Sequence, residues 1–76
     1  MPKIQSISWK KFDKFLIKIG CKFRREKGDH RAYWKMGLKR PVIIPRDKNL
    51  PVFIILNNLR VLNISREKYL SIIGKL

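Results

Sequence analysis

CKFRREKGDHRAYWKMGLKRPVII, residues 21–44, decides the fold. From Cys21 to Lys27, apolar Cys21 and Phe23 alternate with Lys22 and Arg24, the pattern of a half-buried strand. Gly28-Asp29 supplies a tight reversal. His30 to Lys35 is a second short strand, to which Tyr33 and Trp34 lend β-propensity. Met36 to Arg40 contains Gly37 and reads as another turn. Pro41 to Ile44 is a third strand, β-branched at Val42, Ile43 and Ile44 and bounded by Pro41 and Pro45. Three consecutive strands joined by short turns make an antiparallel meander.

Helical patterns lie on either side. Lys10 to Ile19 places Phe12, Phe15, Leu16 and Ile19 on one stripe, with Ser8 as N-cap and Gly20 as the left-handed stop. After a polar loop, Arg46 to Asn49, Pro51 sits where the first turn of a helix tolerates proline. Val52, Ile55, Leu56, Leu59 and Leu62 continue that second helix, and Asn63 ends it. Ser65 followed by Glu67 opens a short third helix with Leu70 and Ile73 inward. The expectation is an α+β domain, α-β-β-β-α plus a short C-terminal helix, with helices covering one sheet face. Seventy-six residues allow one domain, 1–76, without internal repeat or linker.

Charge is the first functional signal. Nineteen Lys and Arg against five Asp and Glu give a formal net charge of +14, a surface that attracts polyanions. A thermophile-type charged surface fits poorly, because it needs interleaved acids to form ion-pair networks. One cysteine, Cys21, excludes an intramolecular disulfide and a cysteine metal cluster; on the apolar side of its strand, it reads as a small core residue. With no membrane-length apolar run and no signal-peptide pattern, the chain is expected to be cytosolic, with no membrane partner.

His30 is the only histidine, at the mouth of a strand among Arg24, Arg25, Lys27, Arg31 and Lys35. Imidazole exchanges protons near neutral pH, and surrounding cations stabilise phosphate oxygens. An idle, exposed turn histidine is the competing reading. The five acids are scattered over helix, strand and loops, which disfavours a two-metal nuclease and leaves no cofactor implied. Without a metal, RNA is the easier substrate, because it brings its own 2′-hydroxyl nucleophile. Tyr33 and Trp34 invite base stacking; strand alternation buries one ring and exposes the other, without saying which. Phe53, Ile54 and Val61 point away from the inward stripe of the second helix, either onto a partner or beneath the third helix.

The arrangement resembles the HicA toxins of toxin–antitoxin systems. The residues that carry the resemblance are Ile19-Gly20-Cys21-Lys22-Phe23, Lys27-Gly28-Asp29-His30-Arg31-Ala32-Tyr33, Val42-Ile43-Ile44-Pro45, and Leu50-Pro51 leading into Leu56, Leu59 and Arg60. The resemblance implies a double-stranded-RNA-binding-like fold, metal-independent mRNA cleavage and neutralisation by a HicB-type antitoxin, through which oligomers would form. It places the catalytic histidine at His30 and an open, phosphate-admitting turn at Gly28. RNA contacts are then expected from Arg24, Arg25, Lys27, Gly28, Asp29, Arg31, Tyr33 and Lys35. Two positions depart from the family pattern: Asp29 stands where Ser or Thr is usual, and Arg31 where many members have a second histidine. The proton donor to the leaving oxygen is unassigned among Lys27, Tyr33 and Lys35. A non-catalytic RNA-binding module of the same fold is the alternative, and a domain binding an acidic protein is the third.

Overall fold

The computed structural model describes residues 3–76. Its elements follow the order α1 (Trp9–Lys18), β1 (Lys22–Lys27), β2 (His30–Trp34), β3 (Val42–Pro45), α2 (Val52–Leu62) and α3 (Arg66–Ile73). The expected α+β architecture is present: the strands form one antiparallel sheet in the order β1-β2-β3.

Local chemistry sets the boundaries. The Ser8 side chain accepts a hydrogen bond from the Lys10 N–H at 3.1 Å, so α1 begins one residue earlier than its apolar stripe suggests. At its far end Gly20 adopts φ +100°; the Gly20 N–H donates to the Ile17 carbonyl and the Cys21 N–H to the Leu16 carbonyl, a Schellman stop. Asn63, at φ 57°, closes α2 in the same way, with the Ile64 N–H donating to the Leu59 carbonyl. Pro51 precedes the first turn of α2, and Ser65 caps α3 by accepting from the Lys68 N–H.

One sheet face is buried and the other is open. Tyr33, Val42 and Ile44 meet Phe12, Phe15 and Leu16 of α1, Ile55 and Leu59 of α2, and Tyr69 and Ile73 of α3 in a single core. Tyr69 fixes α3 onto α1 by standing edge-on to Phe15, with ring centroids 4.9 Å apart. Cys21 is a buried core residue, and burial pushes its thiol pKa up against an opposing pull from Lys35.

Three sequence expectations shift. The alternation from Cys21 does not continue along β1: a bulge lies between Phe23 and Arg25, and the whole strand is exposed as a sheet edge. Phe23 is therefore half-exposed. In α3 the deeper inward residue is Tyr69, whereas Leu70 is only half-buried. Ile54 and Val61 pack on the core margin, which leaves Phe53 as the outward residue of α2 at 63% exposure. The segment before α1 is also ordered, its Ile7 bridging Leu50, with the Leu50 N–H donating to the Ile7 carbonyl at 2.7 Å.

Both tyrosines are buried, and burial pushes each pKa from 10.0 up to about 12; at Tyr33, Asp13 adds to the rise and Arg31 opposes it. The fold thus favours the neutral phenols. Their stabilisation is complete below pH 10 and is lost as pH rises towards 12. Ionising both costs on the order of 5 kcal/mol. Phenolate absorbance should therefore stay flat through pH 10 and then appear together with loss of far-UV circular dichroism. Phenolate formation at the ordinary tyrosine pH with the fold intact would contradict this.

Candidate active site

The hairpin between β1 and β2 presents the histidine. Lys27 pairs with His30 across a two-residue turn, Gly28-Asp29. Gly28 has φ +61° whereas Asp29 has no positive φ, the type II′ pattern that matches the twist of a hairpin. A side chain at Gly28 would meet nothing within 4 Å, so backbone conformation, not crowding, selects glycine there. The Arg46 N–H donates to the Asp29 carbonyl at 2.7 Å and ties the turn to the end of β3.

His30 is exposed, and its Nδ1 lies 2.9 Å from an Asp29 carboxylate oxygen. That contact leaves Nε2 as the nitrogen free to meet a substrate. Cross-strand partners share a sheet face, so the register places Lys27 beside His30, and Arg25 and Ile43 on either side of Ala32. Arg25, Lys27, His30, Ala32 and Ile43, together with Arg31, line one concavity at the open face. A titratable ring therefore sits in a basic hollow with an apolar floor.

The Arg31 and Tyr33 side chains turn the other way, and full burial takes Tyr33 out of the expected RNA contacts, whereas Arg31 still borders the His30 concavity. Strand alternation sends them to the α1 side. The Arg31 guanidinium donates to Glu26 Oε1 and to the Tyr33 hydroxyl, each at 3.0 Å, and lies 4.1 Å from the Phe23 ring centroid and 4.9 Å from that of Trp9. Tyr33, wholly buried, donates its hydroxyl proton to Asp13. Its ring can neither stack on a base nor serve as the proton donor. The Tyr33 hydrogen bond and the neighbouring carboxylates raise the Arg31 pKa still further, so this cation is permanent. Phe23, Asp13 and Glu26 belong to this structural cluster; that role could have been suspected only from the unusual pairing of acids with a β2 arginine.

The other expected contacts divide between two places. Arg24 occupies the bulge and, with Lys35, borders a second hollow around Trp34, at the far end of β2 from His30. Lys35 lies five residues, about 17 Å, along the strand from the histidine, too far to share its proton transfer. Among the described residues no three His, Cys, Asp or Glu side chains group as metal ligands. A larger hollow between the N-terminal segment, α2 and α3 is lined by apolar Ile4, Val52, Leu56 and Leu70, with Lys3, Arg66 and Glu67 at its edge. It offers no acid–base pair comparable to His30 and Lys27.

Residues 9–64, well over half of the chain, match the family model described as the HicA toxin of bacterial toxin–antitoxin systems. The chain belongs to the HicA toxin family. No curated protein and no solved structure matches it. The HicA match runs from the first residue of α1 to just beyond α2, and so takes in the His30 hairpin and the whole sheet. No helix among the described residues is long and apolar enough to cross a membrane.

Proposed function

We propose that this HicA-family chain is a metal-independent endoribonuclease that cleaves mRNA in the cytosol, with His30 as its general acid–base residue and a HicB-type antitoxin as its inhibitor. The observation that carries the reading is the placement of His30: exposed, held through Nδ1 by Asp29, and sharing a concavity with Lys27 and Arg25.

The chemistry follows from that placement. Nε2 of His30 takes the proton of a ribose 2′-hydroxyl as its oxygen attacks the adjacent phosphorus. A P–O2′ bond forms, the P–O5′ bond breaks, and the products are a 2′,3′-cyclic phosphate and a 5′-hydroxyl. Arg25 and Lys27 offset the charge that accumulates on the phosphate oxygens. Lys27, directly across the strand pair from His30, is the candidate to protonate the departing 5′-oxygen, since Tyr33 is buried on the opposite face and Lys35 lies at the other strand end. Asp29 orients the ring. Its carboxylate is also the feature that favours the alternative, a non-catalytic RNA-binding module, because a negative charge beside the histidine opposes phosphate approach.

The test is cleavage of an mRNA in excess EDTA, with end analysis of the products. Cyclic phosphate and 5′-hydroxyl ends are expected, and replacing the ribose 5′ of a mapped cleavage site with deoxyribose should abolish that cut. Binding without cleavage would select the non-catalytic module.

A further inference from the structure

The open sheet face carries more than the histidine. Along β2, His30, Ala32 and Trp34 alternate onto it. On one side the register sets Lys27, Arg25 and Lys22 opposite these three residues in turn. On the other side, Pro45 and Ile43 of β3 stand opposite His30 and Ala32. A row of three cations therefore flanks the central row, with an apolar row on its other side. Ile43 is 48% exposed, uncovered by any helix. At the far end, Trp34 is partly buried but lines its own hollow, bordered by Lys22, Arg24, Lys35 and the almost fully exposed Met36.

We propose that a single RNA strand lies along β2 across this open face, its phosphates on the Lys22–Arg25–Lys27 side and one base stacked on Trp34, so that Trp34 holds a nucleotide displaced from the bond cleaved at His30. The proposal rests on RNA being the ligand and deepens that reading by naming the form of RNA and the residue that grips it. Charge complementarity selects a polyanion for a face with three aligned cations in a chain of net charge +14. The apolar row and the indole select splayed bases over a closed duplex, because an A-form helix presents phosphates and 2′-hydroxyls in a shallow groove and keeps its bases stacked inside. His30 and Trp34 are about 13 Å apart along the strand, so they cannot contact the same nucleotide. The two hollows are separate subsites on one track.

The test uses the full chain carrying His30→Ala, so that binding is read independently of chemistry. A short single-stranded RNA should bind more tightly than a duplex of the same sequence and should quench tryptophan emission. Trp34→Ala should weaken single-strand binding about tenfold or more. Trp34→Phe should keep most of the affinity but lose the quench, since the remaining Trp9 sits under Arg31 on the opposite face. Lys22→Ala and Arg25→Ala should each flatten the dependence of log affinity on log salt by about 0.7. Unchanged melting temperatures show that these are not folding defects.

Duplex preference, or unaltered single-strand affinity in Trp34→Ala, overturns the proposal. Loss of antitoxin binding with RNA affinity unchanged also overturns it and makes the face a protein-docking surface. If the wild-type chain fails to cleave while these binding results hold, the ribonuclease reading falls and the strand track stands.

Discussion

His30→Ala is expected to cut the rate of RNA cleavage about a hundred- to ten-thousandfold, the usual contribution of a positioned general acid–base group. RNA affinity should change little, because the cations of β1 and the Trp34 hollow are untouched. His30→Gln should be as inactive as the alanine variant, since an amide keeps hydrogen bonds but cannot carry the proton. Cleavage assays on purified protein, with growth arrest on expression as a cellular readout, check both. Equal cleavage by wild type and His30→Ala would falsify the assignment outright. The Asp29 contact refines the expectation. If the carboxylate acts by holding the ring, Asp29→Ala should lower kcat about tenfold through misalignment, with KM little changed. An increase in kcat would show that its charge opposes the scissile phosphate instead.

Arg31→Met should destabilise the fold by about 2–3 kcal/mol, a fall in Tm of roughly 10–20 °C for a domain of this size. Its side chain is only 20% exposed, and removing it takes the cation from Asp13 and leaves Glu26 with only the looser Arg46 contact at 3.6 Å. It also forfeits the stacking between the Trp9 and Phe23 rings and the hydrogen bond to Tyr33. Arg31→Lys should recover only part of the loss, because an ammonium cannot donate in a planar fork or stack as a guanidinium does. Chemical denaturation measures the effect. The folded fraction of either variant should still cleave RNA within a few-fold of wild type. Cleavage lost at unchanged stability would place Arg31 in the RNA-contacting set.

Arg31 and His30 are neighbours of similar polarity in a basic stretch, and the sequence treats them alike. Alternation along β2 separates them: one turns to the open face and one inward. The sequence does show that Tyr33 and Trp34 must part in the same way. The direction of the split depends on which face α1 and α2 cover, a matter of long-range packing. The β1 bulge is less legible still, because an extra residue in an exposed, charged strand changes no apolar pattern. Its effect is large: it brings Arg25 and Lys27 onto the face of His30, whereas strict alternation from Phe23 would put both on the buried side. Tyr69 is not legible as an inward residue, because a helix of eight residues makes little more than two turns, too few to declare its inward face.

By itself, then, the sequence determined the element order, the helix caps at Ser8 and Gly20, the hairpin turn at Gly28-Asp29, the basic character and the position of the single histidine beside that turn. These depend on neighbours a few residues apart: capping hydrogen bonds, positive φ, apolar period and summed charge. Tertiary structure alone decided which cations serve the open face, that Arg31 and Tyr33 are committed to a cluster with Asp13 and Glu26, and that Trp34 shares a surface with His30. Those outcomes follow from sheet register and from which face the helices bury. Both are fixed by contacts between residues far apart in the chain.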